Sequence, residues 1–461
     1  MTRPKPEALR EMSREDLIAL ILSLIERVQQ LEAEVAALKA KTPPTSSNSS
    51  LPPSRDWKAD APTGKKRRPR RPGAKPGHAK CERALVDQPN QVIEAPVKTC
   101  SGCGADLQAV KPERIVRRQV TELPELKPVV LETRQHEVVC PHCRSRQCGS
   151  LPEGLEAQRH FGPRLEALIT YLHHEHHLSF QRLQSVLEHV LGLRLSEGGE
   201  VSVLERAGAA AQPEAETIGE RVRESAVIQS DETSSRVHGR NWWEWVFVSA
   251  AGEYHLIRNS RGLDVIQAFM GKRKVEVWVS DCWPAQLKAP AQVWQVCLTH
   301  QIRNLQGLID RQPRLRWARE MQALFRAAIH LGNRRAELTA RGYQRQIALL
   351  ERRLDRLLAR PVSSHRARIL RQRYRTHRQH LFVFLHRTDV PADNNASERA
   401  LRPSVIHRKV MGSFRSDWGA HAYAALATVI NTAKRAGENI FQKLVSLMGK
   451  PVLHYLQPSI A

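Results

Sequence analysis

The 461-residue sequence has no run of about 18 apolar residues, the least that spans a bilayer as a helix. Its longest apolar stretch, Leu17 to Ile25, is broken by Ser23 and lacks a signal-peptide shape. A membrane span and a secreted fate are therefore not expected. Aromatic residues are few, at 5%, and the hydrophobic share is a modest 41%. Some stretches should accordingly be solvated or extended rather than packed. Acids are also short: 47 Asp and Glu face 72 Lys and Arg, leaving a net charge of +25. That surplus points to a polyanion partner, with nucleic acid first. Cysteines are scarce outside one region. Six of the eight fall between Cys81 and Cys148, and the other two are Cys282 and Cys297. Without a signal peptide, this clustering favours a metal site over a disulfide framework. At ~150 residues per domain, the chain has room for two to four modules.

Residues 1–40 form the first module. Leu17, Leu24, Leu31 and Leu38 recur every seven residues, and Ile21, Val28 and Val35 each precede a leucine by three. β-Branched residues at one heptad position and leucine at the other favour a parallel two-stranded coiled coil, hence a homodimer. Ser13 with Asp16 suits a capped helix start. Residues 41–80 read as a linker, with Pro43, Pro44, Pro52 and Pro53 flanking a Ser/Asn tract. Its second half, 62–80, holds eight cations and no acid, among them Lys65, Lys66, Arg67, Arg68, Arg70 and Arg71. Such an arm suits a phosphate backbone.

Residues 81–150 carry Cys100-Ser-Gly-Cys103 and Cys140-Pro-His-Cys143. Two C-x₂-C pairs can close one tetrahedral Zn²⁺ site, and a closed Cys₄ site is structural rather than catalytic. The pattern predicts a zinc ribbon, with strands between Val116 and Val139. Residues 151–225 read as a helical module. Leu165, Leu168, Ile169 and Leu172 mark one helix, and Phe180, Leu183, Leu187 and Val190 a second. Ser196 caps a third carrying Val201 and Leu204, and three short helices fit a helix-turn-helix-like DNA-binding module.

From residue 226 the periodicity changes. Ala226 to Asp231 predicts a strand, as do Trp242 to Ser249, Glu253 to Ile257 and Val275 to Asp281, with a helix over Leu263 to Phe269. If the first and fourth strands are neighbours, Asp231 and Asp281 stand side by side. Bare carboxylates so placed repel, and a bound divalent cation relieves them. Oxygen ligands suit Mg²⁺. Glu398, in Asp393-Asn-Asn-Ala-Ser-Glu398-Arg-Ala-Leu-Arg402, is the best further carboxylate, near a helix start that Asn394 or Asn395 can cap. Arg399, Arg402, Arg408 and Lys409 follow it and could hold a phosphate backbone. Between the second and third acids, residues 301–380 contain 20 arginines, no lysine and 5 acids. Tyr343, Ile347, Leu350, Leu354 and Leu357 there trace a helical stripe, with Arg345, Arg352, Arg353 and Arg356 on other faces. Cys297 and His300 have no evident partner pair for a second metal, so they read as a packed cysteine and a histidine beside the active site.

These motifs resemble those of the transposases of the insertion-sequence-sixty-six family, a bacterial group of DDE recombinases. The likeness covers nearly the whole chain. It rests on Ser47 to Ser54, Gly73 to His78, the two Cys pairs, and Ser230-Asp-Glu-Thr233 with Trp245-Val-Phe. It rests further on Cys297-Leu-Thr-His300 with Arg303, and on Asp393 to Pro403 with Arg408-Lys409 and Thr432-Ala-Lys434. Asp281 departs from the pattern, being followed by Cys-Trp-Pro where Gly and an aromatic are expected. The resemblance implies an RNase H-like α/β core in a multidomain α+β protein, split into 226–300 and 381–461 by a helical insertion at 301–380. It implies Asp231, Asp281 and Glu398 as the catalytic triad, binding two Mg²⁺ (or Mn²⁺) ions. The partners implied are double-stranded DNA, as element ends and target, and accessory proteins of the same element. The implied location is the bacterial cytoplasm, at the nucleoid. Two other readings stay open: a non-enzymatic zinc and helix-turn-helix regulator, and an RNase H-like nuclease.

Overall fold

The computed structural model describes residues 13–41, 83–152, 155, 159–450 and 452. The basic arm from Lys65 to Arg71, the linker around it and Cys81 lie outside the described residues. Two compact units emerge. The smaller draws on Lys58–Val130 and His189–Leu193, and the larger takes in the rest.

Helix α1 runs Arg14–Lys41. Its start is capped as the sequence predicts: Ser13 Oγ accepts from the Asp16 N–H at 3.1 Å and donates to the Asp16 carboxylate at 2.6 Å. Ile18, Ile21, Leu24, Ile25 and Val28 on it are all exposed. In the smaller unit, 83–130 has no regular strand among the described residues. The expected strands between Val116 and Val139 reduce to β1 (Glu137–Val139), which pairs antiparallel with β2 (Arg146–Cys148) in the larger unit. The reason is packing. Val116, Val120, Leu123 and Val130 are exposed and meet no second layer, and an alternating pattern without a partner does not hold a sheet.

The larger unit is built on a five-stranded sheet. Its strands are β3 (Val227–Val237), β4 (Arg240–Ser249), β5 (Gly252–Arg258), β6 (Val275–Ser280) and β7 (Ala291–Val296). Their spatial order is β5-β4-β3-β6-β7. The first three form an antiparallel meander, whereas β6 and β7 add in parallel. Before the sheet come α2 (Pro163–Thr170), α3 (Phe180–Leu191) and α4 (Glu197–Arg223). The last is not a short third helix. It is 27 residues long, and Val203, Ala207, Ala211, Ala215, Ile218 and Val222 bury one face in the core. An alanine every four residues gave no strong apolar signal, yet small residues are what let two helices approach closely.

Three layers result. On one face, α4, α5 (Leu263–Met270), α12 (Asp417–Arg435) and α13 (Ile440–Met448) pack on Trp245, Phe247 and Trp278. On the other, α6 (Leu298–Arg311), α7 (Arg316–Asn333), α8 (Ala340–Ala359), α9 (His365–Thr376) and α10 (Val383–His386) share a core with Val277, Val279 and Val296. The arginine-rich segment therefore covers the sheet directly. Its stripe falls as expected: Tyr343, Ile347, Leu354 and Leu357 are buried, and Arg345, Arg352 and Arg356 are exposed. Helix α11 (Asn395–Met411) lies on Val246 and Val248 through Ala400 and Leu401. Behind it, a π-helical turn, Tyr171–Glu175, presents His174 to α12, where its ring stacks on Tyr423 at 4.6 Å. His407 of α11 rests 4.4 Å from the same tyrosine. Burial pushes His174 down to about 3 and lowers His407 as well, so this pad under α11 is uncharged.

The α4–α12 crossing has one narrow point. A Cβ on Gly208 would lie 2.3 Å from the Ala422 Cβ and 2.8 Å from its Cα. Gly208→Ala should therefore destabilise the larger unit by about 1–3 kcal/mol in urea denaturation, although alanine is the better helix former. A neutral or stabilising result would mean that the helices separate freely.

Candidate active site

Strands β3 and β6 pair in parallel, Val227 with Val277, Ile228 with Trp278 and Gln229 with Val279. Two residues beyond the last of these pairs stand Asp231 and Asp281. Equal steps along parallel strands keep both acids level and on one face. The sequence placed Asp231 at a strand end, but β3 continues through Val237 because β4 pairs with it from Gln229 onward, Asp231 opposite Val246. What ends there is only the parallel ladder with β6. Asp281 starts the loop that follows β6, and its Oδ1 accepts the Trp283 N–H at 2.8 Å. Trp283 thus supplies an aromatic beside the second acid despite the Cys-Trp-Pro departure.

Glu398 comes from the first turn of α11. Asn394, fully buried before that turn, fixes the helix start to the sheet. Its side-chain amide donates to the Ser230 carbonyl at 2.8 Å, and its Oδ1 accepts from Ser397 Oγ at 2.7 Å. Asn394 is therefore less a helix cap than a tether between α11 and β3, next to Asp231. The Asp393 carboxylate instead accepts the Asn395 N–H at 3.1 Å.

The electrostatics agree with this gathering. Asp231 is held well above its ordinary value of 3.8, by burial first and then by the charges of Glu232, Asp281 and Glu398. One opposing bond, the Glu232 N–H to Asp231 Oδ1 at 2.9 Å, lowers it. Oε1 of Glu398 is buried without a hydrogen-bond partner. His300 Nδ1, its own pKa lowered by burial, lies 3.7 Å from that oxygen, and the Arg303 guanidinium lies 3.7 Å from Oε2. Half-buried carboxylates gathered in this way could serve as a donor set for a divalent cation.

Several residues here were not assigned by the sequence reading. Glu232, whose side chain is 2% exposed, takes Arg261 at 2.9 Å and the Gln286 amide at 2.8 Å. Arg261 is sandwiched between the rings of Trp243 at 4.5 Å and Trp283 at 3.8 Å. Through this stack the first acid's strand is braced against the second acid's loop. The only hint was Glu232 itself, adjoining Asp231; Arg261 and Gln286 stand in unremarkable sequence. Of the cations expected to hold phosphate, Arg399, Arg402 and Lys409 are exposed on α11, whereas Arg408 reaches Thr233 and Ser234 at 3.4 Å.

A family model described as Transposase IS66 family matches residues 158–422, more than half of the chain. The chain belongs to that family. The match takes in Asp231, Asp281 and Glu398 together with the arginine-rich helices. A second model, a family of unknown function (DUF6444), matches residues 1–84. No curated protein matches the chain. No helix among the described residues is long and apolar enough to cross a membrane.

The four cysteines expected to bind zinc fall outside the transposase match, in different units. Each pair forms the same tight turn. The Gly104 N–H donates to the Cys100 carbonyl and the Cys100 N–H to the Ala105 carbonyl, both at 2.9 Å. Arg144 and Cys140, then Cys140 and Ser145, repeat both bonds at the same distance. Gly104 and Arg144 both take positive φ, which costs nothing for glycine and something for arginine. Hydrogen bonds from Ser145 lower the exposed Cys143 thiol to about 7.

A carboxyl raised on folding binds more protons in the folded state than in the unfolded one. The stability that the protonated Asp231 carboxyl contributes to the metal-free protein is therefore present below its ordinary value and lost as pH rises through its folded one. Asp231→Asn should raise the melting temperature of metal-free protein at pH 8 and change it little at pH 4. Calorimetry at the two pH values checks this. An equal shift at both would mean that repulsion at Asp231 is not the cause.

Proposed function

We propose that this member of the IS66 family is a DDE-type DNA transposase, with Asp231, Asp281 and Glu398 as its catalytic triad on an RNase H-like core. The observation that carries the reading is the equal offset of Asp231 and Asp281 beyond the parallel β3–β6 pairing, with Glu398 tethered alongside through Asn394. The strand order, a meander extended in parallel at one edge, supports the RNase H-like reading. The donor set fits Mg²⁺ or Mn²⁺, because it is all oxygen, crowded and under-compensated. Two ions held there would supply Lewis acidity to an attacking and a leaving oxygen.

The protein's own part is positioning. Asp231 and Asp281 present their oxygens just past the β3–β6 ladder, with the Glu232–Arg261–Trp283 brace fixing the distance between strand and loop. Asn394 sets where Glu398 enters. Arg303 lies beside Glu398, and Arg399, Arg402 and Lys409 lie along the same helix, where a phosphate backbone would meet them. The expected substrate is double-stranded DNA, cut at each element end to leave a 3′-hydroxyl that attacks target DNA. The remaining assignments belong to the same proposal. Helix α1 pairs two protomers, Cys100, Cys103, Cys140 and Cys143 hold a structural Zn²⁺, and the arm at 62–80 follows DNA backbone.

A strand-transfer assay with Mg²⁺ on element-end DNA tests the reading. Asp231→Ala should abolish joining, by at least about 10³-fold, while gel shift shows end binding retained. A variant that joins ends normally would return the chain to the regulator reading; cutting without joining would favour the nuclease. Neutralising Arg345, Arg352 and Arg356 together should weaken DNA binding and lower its salt slope by about 2–3. An unchanged slope would make the arginine-rich face a solvated surface only.

A further inference from the structure

Cys297 and His300 had no partner in sequence, but the fold supplies one. Among the described residues of the larger unit, one group of three metal-capable side chains has its ligand atoms all within 4.8 Å of one another: Cys297, His300 and Glu398. His300 Nδ1 lies 3.2 Å from Cys297 Sγ and 3.7 Å from Glu398 Oε1. Tetrahedral zinc, with bonds of about 2.0–2.3 Å, sets its ligand atoms about 3.5 Å apart, so both separations are close to one tetrahedral edge. The backbone around the group is fixed. The Cys297 N–H donates to the Ser280 carbonyl at 2.8 Å, and the Asn394 N–H to Cys297 Sγ at 3.2 Å. Independently, Glu398 Oε1, the oxygen facing His300, is the buried atom without a hydrogen-bond partner.

We propose that Cys297, His300 and Glu398 form a separate site for a borderline-soft divalent cation of the Zn²⁺ or Co²⁺ class. One sulfur, one imidazole nitrogen and one carboxylate oxygen with a fourth position open to water is a donor set that hard Mg²⁺ does not favour. On binding, the Cys297 S–H bond is replaced by a sulfur–metal bond and the proton passes to solvent; nothing is oxidised or reduced. Glu398 is the shared member. Loading this site draws the third acid away from Asp231 and Asp281, so a soft cation would oppose the Mg²⁺ chemistry of the neighbouring pair. That last consequence rests on the transposase reading, whereas the site itself does not.

The test is a Co²⁺ titration of the full chain, followed by the thiolate-to-cobalt absorption band and by calorimetry. The Cys100–Cys103 and Cys140–Cys143 pairs contribute equally in every sample. Wild type should bind one more Co²⁺ than Cys297→Ala. His300→Gln and Glu398→Gln should each weaken that ion by at least about 100-fold, with circular dichroism checking that all variants fold. Equal stoichiometry and affinity in wild type and Cys297→Ala would overturn the site. Loss in Cys297→Ala and His300→Gln but not in Glu398→Gln would overturn the sharing of Glu398. None of these readouts needs DNA or activity, so failure of the transposase reading would show separately, in the strand-transfer assay.

Discussion

Carboxylates crowded into one partly buried place repel one another, and the structure around this site answers that repulsion. Asp231 cannot relax away, because β4 pairs with its strand on both sides of it, from Gln229 to Val237. Asp281 cannot either, because the Trp283 N–H holds it. A third carboxylate arrives on a helix whose first residues are bonded to the strand beside Asp231. The neighbouring Glu232 is neutralised by Arg261, but that cation is spent on Glu232 and on two tryptophan rings. The acids that matter keep an unmet demand for positive charge. A folded chain that tolerates this gives up stability at that place.

The two faces of the sheet divide the remaining work. One is packed by alanine-rich helices whose close approach at Gly208 makes a stiff backing layer. The other carries the arginine-rich helices, whose inner residues complete the core while their outer residues give the chain much of its charge. Because those helices pack on Val277, Val279 and Val296, the strand that leads to Asp281 is supported from both sides. An exposed cationic surface and a buried scaffold are thus one object, with the division running along each helix.

Much of the core was legible in the sequence. Strand patterning gave β3 and β6 with a carboxylate after each apolar run, while their adjacency, only a condition in the sequence, is what the sheet supplies. The heptad leucines and the Ser13 cap gave α1, and the stripe from Tyr343 to Leu357 gave α8. Other features were not legible, for physical reasons. Helix α4 buries alanines, which carry little hydropathy signal. The valines between Val116 and Val139 alternate but lack a second layer, so pattern alone overstated the strands there. Arg261, Gln286 and Asn394 act through contacts between segments far apart in sequence, and nothing local marks them. Cys297 and His300 had seemed to want a second Cys or His pair nearby. Their neighbour is instead a glutamate about a hundred residues later, which spacing rules do not reach.

The order of the acids along the chain also sets a timetable. Asp231 and Asp281 are made well before Glu398, and the segment between them and Glu398 is long. At about 5–20 residues per second of synthesis, the sheet bearing the two aspartates emerges several seconds or more before the helix that completes the set. During that interval the chain already displays its cationic helices but has no third acid and no Asn394 tether. The cationic surface is therefore complete before the acid cluster, which is closed only when roughly the last seventh of the chain folds back onto the sheet.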